Sequence, residues 1–201
     1  MIKIIIFDLW ETLGTKNLGV SKELQKHFHI PDTSNFLKRY EKSCQLSVWK
    51  NKQDLAKSFL MEFNLPLSRA NISFVIKILE KGIRNATLYP FMRQLLATLK
   101  KKYSLAILSN TTIFESKIVK KWGVEKHFQA QIYSCHINSL KPSNKSFKEV
   151  CRFFQVKPRE CIFIDNQRKN VDVAKRLGFQ ALHYQNISQL KRDLHANGVL
   201  T

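Results

Sequence analysis

Several polar side chains that could take part in a group-transfer reaction directly follow apolar, β-rich stretches of the sequence. Asp8 closes the Ile-rich stretch Ile2–Phe7, and Ser109 and Asn110 follow another apolar stretch. Together the candidates offer a carboxylate nucleophile, hydroxyl and amide donors, a cation and a second carboxylate. Such a set could attack a phosphorus or carbon centre beside a hard metal ion. In chain order the candidates are Asp8, Ser109, Asn110, Lys141, Asp165 and Asn166.

The elements that must position these residues alternate between short strands and longer helices. This alternation predicts an α/β protein with a Rossmann-like parallel sheet and helices on both faces. Ligands of such sheets bind at the carboxyl ends of the strands, where the candidates lie. Pro90 suits the first turn of a helix, and Gly123 and Gly178 stand where helices end. The predicted strands are Ile2–Phe7, Ser104–Leu108, Ala130–Tyr133, Cys161–Ile164 and Ala181–Tyr184, and the predicted helices are Pro90–Lys101, Ile113–Trp122, Asn144–Phe154, Asn170–Leu177 and Ile187–Ala196.

Residues 16–87 interrupt this alternation and contain no convincing strand. Their apolar residues recur at helical spacing in three stretches, Phe36–Trp49, Leu55–Phe63 and Ile72–Ile83. We therefore expect a small α-helical cap inserted after the first strand. The predicted organisation is a Rossmann-like core of residues 1–15 and 88–201 and a cap of residues 16–87. The cap's own core is expected to include Phe36, Phe59 and Phe63.

Taken in order, these pieces resemble the haloacid dehalogenase-like superfamily of hydrolases with a helical cap after the first strand. Each piece is weak by itself, but the ordered set covers nearly the whole chain at normal spacings. The resemblance rests on Phe7-Asp8 through Thr12-Leu13, Leu88-Tyr89-Pro90, Ser109-Asn110, Lys141-Pro142, and Phe163-Ile164-Asp165 with Asn170-Val171 and Gly178-Phe179.

The resemblance implies a role for each candidate residue. Asp8 would be the nucleophile that forms a covalent aspartyl intermediate, and Thr12 belongs to the same catalytic motif. Ser109 and Asn110 would bind the transferred group through hydroxyl and backbone N–H donors. Lys141 would neutralise the phosphoryl oxygens and the Asp8 carboxylate. The resemblance also implies Mg²⁺ as the cofactor, with four ligands: Asp8, the backbone carbonyl of Trp10, Asp165 and Asn166.

Two positions depart from the pattern of phosphatases in this superfamily. Those enzymes usually have a second aspartate two residues after the nucleophile, which protonates the leaving group and then activates water. Trp10 occupies that position, and an indole cannot transfer a proton near neutral pH. Glu11 is adjacent, but neighbouring residues of an extended segment point in opposite directions. Asn166 replaces a frequent aspartate, and its amide oxygen would weaken metal binding without abolishing it.

Three functions remain open on these grounds. The favoured one is Mg²⁺-dependent hydrolysis of a small phosphomonoester, so that the partner is a small anionic, phosphorylated substrate. The second is metal-independent hydrolysis of a 2-haloacid, for which Arg39 could bind the carboxylate and Trp10 could line a halide pocket. The third is a catalytically degenerate binding protein, consistent with both departures.

The cap is expected to cover the site and to determine specificity. Four of its residues are candidates to face a substrate, although ordinary packing or exposure is the favoured explanation for each of them. They are Arg39, Tyr40, Trp49 and Lys50.

The composition restricts the partners and the compartment. The chain has 34 Lys and Arg against 15 Asp and Glu, a formal net charge of +19. The excess is spread over both the cap and the core segments, and no nucleic-acid-binding motif accompanies it, so no specific nucleic-acid partner is expected. No apolar stretch is long enough to span a membrane. The four cysteines form no metal-binding or disulfide pattern, which favours a reducing, cytoplasmic location.

Overall fold

The computed structural model describes residues 1–33 and 35–200; Ser34 and Thr201, which the predicted cap and core include, lie outside the described residues. No helix within those two ranges is both long and apolar enough to cross a membrane. The strands are β1 (Ile4–Phe7), β2 (Gly14–Thr15), β3 (Thr87–Leu88), β4 (Ser104–Ser109), β5 (Ala130–Tyr133), β6 (Cys161–Asp165) and β7 (Gln180–His183). The helices are α1 (Val20–His27), α2 (Phe36–Gln45), α3 (Lys52–Glu62), α4 (Arg69–Asn85), α5 (Met92–Leu99), α6 (Ile113–Ser116), α7 (Ile118–Lys121), α8 (Ser134–Ile137), α9 (Asn144–Phe154), α10 (Arg168–Arg176) and α11 (Ile187–Ala196).

Strand β1 lies at the centre of a five-stranded parallel sheet with the order β5–β4–β1–β6–β7. All four of its residues are buried, as expected for a strand between two layers of helices. Phe7 pairs with Ile107 of β4 and with Ile164 of β6, so the three strands end within two residues of one another. Asp8, which follows β1, therefore reaches the same edge of the sheet as the last residues of β4 and β6.

Helices cover both faces of the sheet, as predicted. Because successive side chains of a strand point to opposite faces, Ile5 and Phe7 pack in one hydrophobic cluster and Ile4 and Ile6 in another. The first cluster contains buried residues of α5, α7 and α11, and the second contains buried residues of α9 and α10. The α/β fold and the parallel sheet expected from the sequence are therefore confirmed.

Helices α1 to α4 follow β2 and precede β3 in the chain, and they form a layer of their own. Helix α3 contacts both α2 and α4, and α1 contacts α4. A separate hydrophobic cluster joins the four helices, with Phe36 and Phe59 buried in it and Phe63 packed against it. These three aromatic residues thus lie where the sequence placed them. We call α1 to α4 the helical insertion.

The two short strands β2 and β3 connect the helical insertion to the core, and we call this pair the neck. They are antiparallel, with Gly14 opposite Leu88. A Cβ atom on Gly14 would clash with the carbonyl oxygen of Thr87 and lie 2.5 Å from the ring of Trp122, so the close approach requires glycine. The prediction of no strand in residues 16–87 is wrong at Thr87, because a two-residue strand leaves no alternating pattern to detect.

Some helix boundaries differ from the predicted ones for local reasons. The helix predicted to contain Pro90 in its first turn begins at Met92, because Phe91 adopts a left-handed conformation with a φ of 63°. The helix predicted over residues 113–122 is divided at Lys117 into α6 and α7.

Two helices were not predicted at all, and two predicted helix ends are confirmed. Helix α1 is eight residues long and α8 only four, so neither offers a long apolar repeat. Gly123 and Gly178 follow helices with φ values of 66° and 89°, a conformation that glycine adopts readily.

Candidate functional site

The centre of the candidate site is a lysine held between two carboxylates. The Lys141 Nζ atom lies 2.6 Å from Asp8 Oδ1 and 2.6 Å from Asp165 Oδ2. All three residues are buried, with exposed fractions of 3%, 6% and 0% respectively. The Asp8 backbone N–H donates to the carbonyl of Ile164, which fixes the start of the loop after β1. The sheet edge thus brings together the three charged residues that the sequence predicted there.

Burial and charge act in opposite directions on this cluster. Burial and, to a smaller extent, the nearby Asp165 carboxylate raise the pKa of Asp8 to about 6, against the attraction of Lys141. For Lys141, burial lowers the pKa, but Asp165 and Asp8 raise it by more, so that its pKa lies above the ordinary value. The lysine therefore stays charged, and its charge favours the ionised form of Asp8.

Asn110 fixes the position of the Lys141 backbone. Its Nδ2 donates to the Lys141 carbonyl at 3.1 Å, and the Lys141 N–H donates to its Oδ1 at 2.8 Å. The Asn110 amide side chain is therefore engaged in positioning the loop. Ser109 has a different environment: among the described residues nothing hydrogen-bonds to its buried Oγ, which lines the same cavity as Asp8.

The loop after β6 supplies oxygen atoms suited to a hard cation. Asp165 Oδ1 accepts from the Gln167 N–H at 2.7 Å, and Asp165 Oδ2 accepts from Asn170 Nδ2 at 3.0 Å. The buried Oδ1 of Asn166 has no hydrogen-bond partner among the described residues. Across those residues no three carboxylate, imidazole or thiol groups converge. Asp8, Asp165 and the unpartnered Asn166 oxygen still form a set of oxygen donors that fits Mg²⁺.

Thr12 lies beneath this loop and does not line the cavity. It is fully buried, and its Oγ1 accepts a hydrogen bond of 3.2 Å from the Asn166 N–H. Thr12 therefore positions the segment that carries Asn166.

Trp10 stands two residues after Asp8, at the sequence position where phosphatases of the resembled superfamily usually have a proton-transferring aspartate. Its Nε1 donates to Thr111 Oγ1 at 3.0 Å, and its ring lies edge-on to Trp122. The Lys16 ammonium is 4.5 Å from the ring centroid and also pairs with the buried Glu115. These contacts hold the indole in the cavity wall, where it offers no titratable group.

Glu11, the neighbouring carboxylate, is engaged in bracing the neck. It has a φ of 57°, a conformation that few residues other than glycine adopt readily. Its two carboxylate oxygens accept hydrogen bonds from the Thr15 hydroxyl at 2.7 Å and the Tyr89 hydroxyl at 2.8 Å. Both carboxylate oxygens of Glu11 thus accept hydrogen bonds from residues at the neck.

A cavity of about 190 Å³ lies between the sheet edge and the helical insertion, and it is lined by Asp8 and Lys141 but not by the fully buried Asp165. Of the four cap residues proposed to face a substrate, only Tyr40 lines it. Arg39 pairs with Glu62 at 2.8 Å, and Trp49 donates to the carbonyl of Cys44. Lys50 is exposed. The lining residues from the insertion and the segment before it are Lys16, Leu18, Gly19, Val20, Ser21, Leu37, Tyr40, Glu41 and Gln45.

Sequence reasoning missed two polar residues of α2, Glu41 and Gln45. Both are buried and line the cavity with Leu37. The three residues are spaced by four, so they share one face of the helix. That spacing was visible in the sequence. Only the structure shows that this face meets the sheet edge.

Comparison with protein families gives one match that covers most of the chain. The model of a family described as haloacid dehalogenase-like hydrolase matches residues 2–178. A curated relative, flavin mononucleotide hydrolase 1 of Arabidopsis thaliana, is 26% identical over 151 residues. The match covers 74% of this chain and 58% of the relative, so the chain spans less than two thirds of that protein.

Solved structures with the same fold include a phosphate complex and a dehalogenase. A HAD family enzyme of Bacteroides thetaiotaomicron, in complex with magnesium and inorganic phosphate, has a TM-score of 0.69 and 21% identity. The match covers 94% of this chain and 99% of that one. The L-2-haloacid dehalogenase of Xanthobacter autotrophicus has a TM-score of 0.63 and 21% identity, covering 100% of this chain and 85% of that one. At these identities the likeness shows the fold.

Proposed function

Because the chain belongs to the haloacid dehalogenase-like hydrolases, we propose that it is an Mg²⁺-dependent phosphatase acting on a small phosphomonoester. The observation that carries the proposal is the buried Lys141 between Asp8 and Asp165 at the cavity floor. An anionic substrate needs a cation beside its reacting group, and the nucleophile needs the same cation to stay ionised. The names of the flavin mononucleotide hydrolase and of the magnesium and phosphate complex support this choice.

In the proposed reaction Asp8 is the nucleophile. One of its carboxylate oxygens attacks phosphorus, and the bond between phosphorus and the leaving oxygen breaks, giving an aspartyl phosphate. Water then attacks the same phosphorus and releases inorganic phosphate, which regenerates the Asp8 carboxylate.

The transferred group is held by residues of β4 and of the loop before α9. The unpartnered Ser109 hydroxyl can donate to a phosphoryl oxygen. Lys141 neutralises the phosphoryl charge. The Asn110 side-chain amide holds Lys141 in place by hydrogen bonds to the Lys141 backbone. The Asn110 backbone N–H is assigned to the phosphoryl group as well.

The proposed Mg²⁺ ligands are the side chains of Asp8, Asp165 and Asn166 and the backbone carbonyl of Trp10. Thr12 contributes by positioning Asn166. When bound, the ion neutralises phosphoryl charge and so lowers the energy of the transition state.

We assign the helical insertion the role of a cap, residues 16–87, over a core of residues 1–15 and 88–201. Its helix α2 closes the cavity from above with Tyr40, Glu41 and Gln45. The cap therefore determines which phosphomonoester fits. The four free cysteines support a reducing, cytoplasmic location for this reaction.

The proposal is tested by comparing the wild-type protein with Asp8→Asn on 4-nitrophenyl phosphate and a panel of phosphorylated metabolites. Each assay is run with Mg²⁺ and with a chelator. We expect turnover only for the wild-type protein with Mg²⁺, and a phosphorylated intermediate that mass spectrometry locates at Asp8. Turnover that survives Asp8→Asn would exclude the covalent mechanism.

The second candidate is a 2-haloacid dehalogenase, which the aromatic Trp10 in the cavity wall favours. The structure gives it less support, because Arg39 pairs with Glu62 and does not line the cavity. Halide release from 2-chloropropionate without Mg²⁺ measures this activity directly. If the protein releases halide and shows no phosphatase activity, it is a dehalogenase and the phosphatase proposal is wrong.

A further inference from the structure

The proposed reaction needs a proton donor that the loop after β1 does not provide. The leaving oxygen must be protonated and the attacking water deprotonated, and such general acid–base help is worth about 10²- to 10⁴-fold in rate. Trp10 has no titratable group, and both oxygens of Glu11 already accept hydrogen bonds. Glu11 lines the cavity too, but these two hydroxyls hold its carboxylate at the neck, so a carboxyl group elsewhere in the cavity wall is the better candidate for the donor.

Glu41 is the carboxylic acid that α2 directs into the cavity. It is 7% exposed and lines the cavity together with Asp8, Asn110 and Lys141. Among the described residues no lysine or arginine lies within ion-pair distance of its carboxylate. A buried carboxylate without an ion-pair partner is unfavourable, which argues that this residue serves a function.

The surroundings of Glu41 favour its protonated form. Burial raises its pKa above the ordinary value, and the Asp165 carboxylate acts in the same direction. The Lys169 ammonium, the Asn110 amide and the Lys141 ammonium lower the pKa by less than burial and Asp165 together raise it. Glu41 can thus hold a proton at a higher pH than an exposed glutamate can.

We propose that Glu41, supplied by the helical insertion, is the general acid and general base of the phosphatase reaction, in place of the missing carboxylate at position 10. This inference rests on the proposed function. It adds to that function by assigning the proton transfer to α2, whereas the nucleophile Asp8 lies on the sheet edge.

The proposed proton transfers balance over the two steps. As Asp8 attacks phosphorus, the bond to the leaving oxygen breaks and its electron pair takes the proton of the Glu41 carboxyl, so the product leaves as an alcohol. In the second step the Glu41 carboxylate removes a proton from water while the water oxygen attacks phosphorus. The bond between phosphorus and Asp8 breaks, and Glu41 is protonated again for the next turnover.

The experiment compares two aryl phosphates of similar size whose leaving groups differ in acidity. Nitrophenolate leaves 4-nitrophenyl phosphate without needing a proton, whereas phenolate, a much stronger base, leaves phenyl phosphate poorly without one. Wild-type protein and Glu41→Gln are assayed on both substrates with Mg²⁺. Glu62→Gln is the matched control, because it makes the same chemical change in the helical insertion outside the cavity.

For Glu41→Gln we expect kcat/KM on phenyl phosphate to fall by about 10²-fold or more. On 4-nitrophenyl phosphate the fall in kcat/KM is expected to be much smaller. A rapid burst of nitrophenolate should precede slow turnover, because the aspartyl phosphate lacks a base for its hydrolysis. Glu62→Gln should behave like the wild-type protein on both substrates.

Three results would overturn the assignment of Glu41. Equal losses of kcat/KM on the two substrates without a burst would indicate a structural or binding role. Wild-type behaviour of Glu41→Gln would show that another group transfers the proton. If the wild-type protein hydrolyses neither substrate nor any metabolite of the panel, the proposed function fails and Glu41 loses its role with it.

Two controls complete the experiment. Circular dichroism of the variants checks that Glu41→Gln is folded. Glu41→Asp, which keeps the carboxyl group, should retain the burst-free kinetics.

Discussion

Lys141 is expected to contribute to stability as well as to the proposed chemistry, because it compensates two buried carboxylates. Replacing it by methionine keeps most of the side-chain volume but leaves Asp8 and Asp165 facing each other without a cation. Removing one partner of a buried ion pair destabilises proteins by about 3–5 kcal/mol. We expect a loss of that size for Lys141→Met in urea unfolding with a chelator present. Lys145→Met, at an exposed position of α9, is the control. Equal stability of the two variants would contradict this prediction.

Thr12 is expected to affect metal affinity without touching the metal. Its hydroxyl accepts the hydrogen bond from the Asn166 N–H. Thr12→Val keeps the shape but removes that acceptor, and loss of such supporting contacts typically weakens metal binding about 10- to 100-fold. We expect the Mg²⁺ concentration needed for half-maximal activity to rise by such a factor. Thr12→Ser retains the hydroxyl and should titrate like the wild-type protein. The prediction is wrong if the two variants require the same Mg²⁺ concentration.

The sequence allowed prediction of the residues on the core loops because each follows a strand, and parallel strands end at one edge. Asp8, Ser109 and Asp165 were found in this way. Glu41 could not be found by the same reasoning. Helical periodicity groups it with Leu37 and Gln45, but the direction in which that face points depends on how α2 packs on the core.

At the level of elements, the neck is the feature most sensitive to a single added methyl group. Gly14→Ala would place that group against the Thr87 carbonyl and the Trp122 ring. Overpacking of this kind costs about 1–3 kcal/mol. We expect a lower melting temperature and reduced activity, because the neck also sets the position of the loop that carries Trp10. An unchanged melting temperature would show that the neck can shift to admit the methyl group.

The elements that were predicted well are those whose own sequence determines them. Strand β5 and helices α9 and α11 have the predicted bounds, since an apolar stretch or a strong helical repeat ends at clear boundaries. The neck and α1 were missed. Their residues adopt strand or helix because they pack against other parts of the chain, and that packing leaves little trace in a short local pattern.

For the whole molecule we expect Mg²⁺ to stabilise the fold, since the proposed ligands come from the last residue of β6 and from the loops that follow β1 and β6. A ligand at 100 times its dissociation constant stabilises a protein by about 2.7 kcal/mol. The melting temperature should therefore rise with Mg²⁺ concentration for the wild-type protein and much less for Asp165→Asn. Differential scanning calorimetry measures both. A wild-type melting temperature that is independent of Mg²⁺ would contradict the proposed metal site.

The net charge of +19 has a whole-molecule effect that is separate from the site. A positive surface attracts anionic substrates over a range that salt shortens. Specificity, by contrast, is expected to come from the few residues that line the cavity. The charge is thus compatible with a phosphorylated substrate without identifying it.

The intrinsic fluorescence of the Trp10 indole in the cavity wall can report ligand binding. Its ring lies beside the Lys16 ammonium and edge-on to Trp122, next to the floor where Asp8 and Lys141 meet. The emission of an indole depends on the charges and the water around it. Inorganic phosphate bound in the cavity would change both at this ring. Fluorescence of the unlabelled protein can therefore follow ligand entry in real time, with Trp10→Phe, which retains Trp49 and Trp122, as the reference for the emission of the other two indoles.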